Sequence, residues 1–157
     1  MKSSRESAKA PKRRAVKIDD LYRISLPGSP AISPDGSRCV YTVQRCDREK
    51  NTYHTNLHLV ELPDGGSRRL TWGDDSDSQP TWSPDGRTIA FVSSRSETSQ
   101  IWLMPMDGGD SRRLTSLPQG TISSLRWSPD GTSLLFVYRP VPECDTKEAT
   151  AERKEKH

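Results

Sequence analysis

Apolar and polar positions alternate along short stretches of this chain: Arg38 to Gln44, Asn56 to Leu62, Thr88 to Ser93, Gln100 to Met106, Ile122 to Ser128 and Ser133 to Tyr138. A period of two is that of a β-strand, and brief runs set off by Gly, Pro, Asp and Ser predict many short strands. In Gln100 to Met106, Ile101 and Leu103 fall on one side and Trp102 and Met104 on the other. Apolar residues on both faces are expected of a strand lying between two neighbouring sheets. The pattern differs only at the start, where Ile18, Leu21, Tyr22 and Ile24 take helical or near-helical spacing around Asp19-Asp20. That spacing predicts one or two helical turns, stopped at Pro27-Gly28.

The turns between the runs repeat. Ser-Pro-Asp-Gly occurs at Ser33 to Gly36, Ser83 to Gly86 and Ser128 to Gly131, with Ile32, Trp82 and Trp127 before it. Proline presets φ for the second turn position, aspartate bonds the backbone beyond, and glycine accepts the left-handed closing conformation. A second marker recurs in phase: Asp64-Gly65-Gly66-Ser67-Arg68-Arg69-Leu70-Thr71 returns as Asp107-Gly108-Gly109-Asp110-Ser111-Arg112-Arg113-Leu114-Thr115. Asp-Gly-Gly is a hairpin signal. Two turns and their flanks make four strands, and a unit of roughly 40 to 50 residues with four short antiparallel strands is a β-propeller blade.

The expected fold is therefore all-β, an incomplete β-propeller of about two and a half four-stranded blades with a short N-terminal helical lead-in. Residues 1–15 read as a disordered basic arm and 16–29 as the lead-in. Blade one takes 30–71, with strands near Ala31 to Ser33, Arg38 to Gln44, Asn56 to Leu62 and Ser67 to Thr71, and a polar loop from Arg45 to Thr55. Blade two takes 79–115, with strands near Pro80 to Ser83, Thr88 to Ser93, Gln100 to Met106 and Ser111 to Thr115. Residues 122–138 supply half of blade three, Arg139-Pro140-Val141-Pro142 is expected to break its second strand, and 139–157 is a polar, charged tail. A ring needs at least about four blades. The expectation is a truncated propeller, or a fragment of a longer ancestral chain, that self-associates through its open blade edge, with partial completion by another chain as the alternative.

Only 31% of the residues are hydrophobic and 29% are charged, which disfavours a large continuous core and suits thin stacked sheets. The net charge of +3 is unevenly placed: residues 1–17 hold seven basic residues against Glu6 alone, leaving the remainder acidic. No run approaches the roughly 18 apolar residues of a membrane helix, and no apolar segment of a secretory signal opens the chain, so a cytoplasmic location is expected. Cys39, Cys46 and Cys144 form no Cys-x-x-Cys pair, and reduced thiols are expected.

Each candidate site has a plainer reading beside it. His54 and His58 stand four apart, but no glutamate follows His54 as a His-Glu-x-x-His zinc site requires, and surface histidines are the simpler account. Asp74, Asp75 and Asp77 lack the ordered ligand positions of a calcium loop and read as a solvated connector. Trp72, Trp82, Trp102 and Trp127 could stack on bases, yet Trp82 and Trp127 occupy matched positions, which points to packing. The pairs Arg68-Arg69 and Arg112-Arg113 could meet phosphates, but charge on an outermost strand also guards against sheet aggregation. No catalytic, cofactor-binding or metal-ligating residue is assigned, and no cofactor is expected.

The lead-in Ile18-Asp19-Asp20-Leu21-Tyr22-Arg23-Ile24, the run Ser29 to Gly36 and the following Val40-Tyr41-Thr42-Val43 resemble the start of the propeller in the prolyl oligopeptidase family of serine peptidases. The acylaminoacyl-peptidase and dipeptidyl-peptidase-like branches are the nearest in pattern. The Trp-Ser-Pro-Asp-Gly and Gly-Gly-x-x-Arg-Arg-Leu-Thr elements are shared with TolB-type propellers. The resemblance covers about residues 16–138 and implies a propeller that gates, and in part binds, the peptide substrate of a following α/β-hydrolase domain. No Gly-x-Ser-x-Gly nucleophile elbow occurs in the sequence, so the chain is expected to be inactive by itself. The other readings are a TolB-like protein-interaction propeller with no peptidase domain and, more remotely, a polyanion binder acting through the basic arm. Expected partners are a peptide substrate or a protein, with no membrane and no specific nucleic acid.

Overall fold

The computed structural model describes residues 15–142. A 3₁₀ segment, Ile18–Arg23, leads into three antiparallel sheets. The first contains Ser25–Ile32 (β1), Arg38–Asp47 (β2), Thr52–Glu61 (β3) and Ser67–Arg69 (β4), each paired with the next in sequence. Asp77–Trp82 (β5), Thr88–Ser93 (β6), Gln100–Pro105 (β7) and Arg112–Arg113 (β8) form the second in the same order. Gly120–Trp127 (β9) and Leu134–Pro140 (β10) form a two-stranded third. The opening strands meet across the sheets, β1 against β5 and β5 against β9, which is the stacking of blades in an incomplete propeller. Among the described residues no helix is long and apolar enough to cross a membrane.

The repeated turn explains the regularity. In the second copy the Ser83 amide donates to the Thr88 carbonyl at 2.8 Å and the Gly86 amide to the Ser83 carbonyl at 2.9 Å, with Gly86 at φ 68°. The Ser83 hydroxyl donates to Asp85 Oδ1 at 2.6 Å, Asp85 Oδ1 takes the Arg87 amide at 3.1 Å, and Ser83 Oγ takes the Thr88 amide at 2.9 Å. The same bonds recur around Asp35 and Asp130. Serine, aspartate and glycine are each used for a backbone group that would otherwise lack a partner.

Alternation along the strands then builds two cores. Val40, Leu57 and Leu59 of the first sheet pack against Trp82, Ile89, Phe91 and Met104 of the second. Ala90, Val92, Ile101 and Leu103 turn the other way, onto Ile122 and Leu125 of the third. Strands β6 and β7 are thus apolar on both faces, as the pattern of Ile101 to Met104 predicts. Each fully buried Leu, Ile or Phe contributes about 1.5–3 kcal/mol.

The elements differ from the sequence reading at four places. Strand β1 begins at Ser25 and runs through Pro27 and Gly28, with Ser29 at φ 46° where the register shifts. It is an edge strand, so the amide that proline lacks is not missed. The stretch Arg45 to Thr55 is mostly ladder: Arg45 pairs with His54 and Asp47 with Thr52, leaving a tight turn at 48–51. Polar residues disguised a hairpin that projects past the core. The fourth strands are shorter than expected, Ser67–Arg69 and Arg112–Arg113. At the other end β10 continues through Arg139 to Pro140, opposite Gly120, because an edge strand tolerates proline at its end. Residues 1–14 of the expected arm at 1–15 and residues 143–157 of the expected tail at 139–157 lie outside the described residues.

Candidate binding site

The joints between sheets are built from the residues that mark the repeat. Trp82 Nε1 donates to the Ala31 carbonyl at 2.9 Å, and Trp127 Nε1 donates to the Thr81 carbonyl at 3.4 Å. Each indole therefore reaches back to the residue one place before the matched position of the preceding sheet. Arg38 reinforces the first joint, with its guanidinium 4.8 Å from the centre of the Trp82 ring and its NH2 donating to the Gly86 carbonyl at 3.2 Å. Gln79 spans the second joint: its Nε2 donates to the Ile122 carbonyl at 2.8 Å. Gln79 itself sits at φ 51°, and Ser29 and Ser124, three residues before Ile32 and Trp127, share that left-handed conformation at φ 46° and 56°. Ser, Gln and Ser share no chemistry that announces a bulge, so this recurrence is invisible in the sequence.

Leu-Thr in the second marker finishes the ladder after β4 and β8. The Leu57 amide donates to Thr71 Oγ1 at 2.9 Å, and the Ile101 amide donates to Thr115 Oγ1 at 2.9 Å. A hydroxyl takes over where the strand leaves, which is why threonine stands at that place in both copies.

The candidate residues are dispersed. His54 and His58 both lie in β3 and are not surface histidines: each is partly buried, having an alternating position on one face of the hairpin. His54 Nδ1 donates to the Asp74 carbonyl, and its Nε2 lies 3.4 Å from Asp47 Oδ2. The His58 ring centre is 5.7 Å from that of Tyr41, and burial, with Arg45 and Arg69 nearby, pushes its pKa down. The three connector aspartates do not converge. Asp74 pairs with Lys50, whose hydrogen bond holds the carboxyl below its usual range. Asp77 is not solvated: it is fully buried as the first residue of β5 and pairs with Arg95 NH2 at 3.0 Å. Arg95 lies 4.8 Å from the Trp102 ring centre and 5.3 Å from that of Phe91, so the cation is held between a carboxylate and two aromatic faces.

Among the tryptophans, Trp82 is buried, Trp102 and Trp127 pack against the cores, and Trp72 is 68% exposed. Trp72 edges a groove of about 630 Å³ between the outer strands of the first two sheets, with Arg68, Met106 and Gly109 along it. Of the arginine pairs, Arg68, Arg112 and Arg113 are exposed, whereas Arg69 turns inward. Its Nε donates to the Thr71 carbonyl at 2.6 Å and its NH2 to Asn56 Oδ1 at 2.7 Å. Cys39 and Cys46 are unpaired, and Cys144 lies outside the described residues.

Stacked four-stranded antiparallel sheets, tied inner strand to inner strand by a repeated tryptophan, agree with what comparison with other proteins finds. The TolB beta propeller domain matches residues 22–155. The chain belongs to that family. It is 39% identical over 126 residues to the uncharacterized peptidase YuxL of Bacillus subtilis (strain 168), an alignment covering 80% of this chain and 19% of YuxL. This TolB propeller therefore spans about one fifth of that relative's length. It superposes on the uncomplexed acylaminoacyl peptidase of Pyrococcus horikoshii with a TM-score of 0.65 at 24% identity, covering 80% of this chain and 19% of the other. It superposes on a structure described as putative TolB from Agrobacterium tumefaciens with a TM-score of 0.57 at 28% identity, covering 78% and 41%. The propeller is thus similar both to those of acylaminoacyl peptidases and to TolB.

Proposed function

We propose that this TolB propeller is a non-catalytic, substrate-gating segment of a peptidase, and that peptide hydrolysis is carried out by a hydrolase part of the complete protein. The observation that carries this reading is the 39% identity to the peptidase YuxL, which runs through 126 residues of propeller. The geometry is consistent with the role. Stacked sheets tied at their inner strands make a rigid wall, and the polar loops at 48–51 and 72–76 gather at one end of it, where they would edge an entrance. A rigid wall selects by size at little cost in ordering entropy.

The test is a chimera in which the matched segment of YuxL is replaced by this one. We expect the chimera to keep its turnover of short chromogenic acyl-peptides or dipeptides while the longest peptide it accepts changes. An active chimera with the parent's length limit would overturn gating. A second reading, a TolB-like protein-interaction module, is favoured by the likeness to the putative TolB structure, of which this chain covers 41%. That reading expects the segment to bind a protein partner and to leave the chimera's peptide range untouched.

A further inference from the structure

The third strands of the first two sheets carry matched amides, Asn56 within β3 and Gln100 at the start of β7. Each stands immediately before the residue, Leu57 or Ile101, whose amide bonds the repeat's threonine. Gln100 is completely satisfied: Nε2 donates to Thr98 Oγ1 at 2.6 Å and to the Leu117 carbonyl at 2.8 Å, and Oε1 accepts from Thr115 Oγ1 at 2.7 Å and the Leu117 amide at 2.9 Å. Asn56 is one methylene shorter. Its Oδ1 accepts from Arg69, but its Nδ2 has no partner although the residue is only 4% exposed. Buried amide donors are nearly always satisfied, so this one asks for an acceptor, and His54 Nε2 beside it also lacks a hydrogen-bond partner.

Asn56 lines a hollow of about 490 Å³ beside the β2–β3 hairpin, with its Nδ2 set just beneath the surface. At the places where the second sheet has Thr98 and Leu117, the first has His54 and Gly73, so neither a nearby hydroxyl nor a leucine side chain closes the space. Of the three acids that line it, Glu49 is exposed at the tip of the hairpin and the other two are engaged. Asp47 accepts from the amides of Glu49 and Lys50 at 2.9 and 3.1 Å, and Asp74 is paired with Lys50. Arg48 is committed to Asp19 at 3.1 Å. Arg45 also lines the hollow, is exposed, and makes no ion pair among the described residues. An orphan amide donor beside an uncommitted guanidinium is the set of partners that a carboxylate takes, one charge-assisted and one neutral hydrogen bond.

We infer that the hollow bounded by Asn56 and Arg45 binds a peptide carboxylate, either a chain terminus or an acidic side chain. This site goes beyond gating and stands whether or not the propeller serves a peptidase. The test is equilibrium dialysis of the full 157-residue chain against three capped peptides: N-acetyl-trialanine with a free carboxylate, its C-terminal amide, and N-acetyl-Ala-Glu-Ala-amide. Binding of the first or third at least about tenfold tighter than the second is expected, since a charged partner strengthens a hydrogen bond about twofold in energy. Asn56→Gln supplies the missing methylene, so it should bond its own sheet as Gln100 does and lose at least about tenfold in affinity with an unchanged far-UV spectrum. Arg45→Gln, at an exposed position, should lose about three- to tenfold, and Arg112→Gln should lose nothing. Equal binding of acid and amide, no binding at millimolar peptide, or full affinity in Asn56→Gln would each overturn the assignment. Should Asn56→Gln fail to fold, undiminished binding by Arg45→Gln would overturn it as well.

Discussion

A single side chain in this molecule often serves one backbone group, and the repeated turn shows it best. The hydroxyls of Ser33, Ser83 and Ser128, followed by neighbouring amides and hydroxyls, hold the carboxyls of Asp35, Asp85 and Asp130 below the usual carboxylate range. A carboxyl whose folded pKa is depressed adds stability that is complete above its unfolded value, near 4, and is lost as pH falls toward the folded one. Stability should therefore decline from about pH 4 downward, and Asp85→Asn should flatten that decline while lowering the melting temperature at pH 7. Thermal melts of both proteins from pH 7 to pH 2 check this, and an unaltered acid limb would remove Asp85 from the account. The tryptophan joints make a second case. Trp82→Phe loses a 2.9 Å bond to the Ala31 carbonyl and Trp127→Phe a 3.4 Å bond to the Thr81 carbonyl. Urea titrations should find the first variant destabilised by about 1–2 kcal/mol and the second by less. These turns and indoles were legible in the sequence because they are chemically specific and recur in phase. The left-handed residues Ser29, Gln79 and Ser124 were not, because any side chain can be forced into a bulge by the strands on either side.

Among the elements, the strands that carry apolar alternation were placed well, and those that do not were misjudged. Burial wrote Ile89 to Val92 and Ile101 to Met104 into the sequence, whereas the polar ends of the β2–β3 hairpin and the proline-bearing β1 are held by ladder bonds that leave no hydrophobic trace. The candidate site suffered the same way. Asn56 and Gln100 precede Leu57 and Ile101, whose amides bond a threonine fourteen residues further on in both sheets, so their equivalence could have been read, but only a structure reveals which amide is left without a partner. Two substitutions probe how the elements end. Thr115→Val keeps shape and removes the acceptor of the Ile101 amide, and equilibrium unfolding should report a loss of about 1–3 kcal/mol, whereas Thr115→Ser should recover most of it. Gly120 opens β9 against the end of β10, and a Cβ there would lie 2.5 Å from Tyr138 Cε2 and 2.7 Å from the Arg139 carbonyl oxygen. Gly120→Ala should cost about 1–3 kcal/mol, only part of it recovered by the double variant with Tyr138→Ala, since the carbonyl remains in the way.

At the scale of the whole molecule, the described residues leave two sheet faces without a neighbour. On the third sheet Leu134, Phe136 and Tyr138 pack inward, while Leu135 and Val137 are 73% and 51% exposed. On the first, Ile32 holds the place of the joint-forming tryptophans and is 63% exposed. An isoleucine has no donor with which to reach a preceding carbonyl, so this face lacks the polar bond that gives the inner joints their register. What remains is apolar area with little to specify a partner, and β10 adds an edge unpaired among the described residues. Surfaces of that kind associate readily and loosely. We therefore expect residues 1–157, purified as a separate chain, to elute as a concentration-dependent series of oligomers in size-exclusion chromatography with light scattering. Val137→Lys, which places a charge on the exposed face of β10 without touching either core, should shift the series toward the monomer. The same preparation should show only background turnover of acyl-peptide and dipeptide chromogenic substrates, because its sequence contains no nucleophile elbow to organise a serine against a base and an oxyanion hole. A stable monomer across a hundredfold range of concentration would mean that the two open faces are covered from within the chain. Hydrolysis abolished by a serine-directed inhibitor would overturn this expectation and place a catalytic serine in the chain.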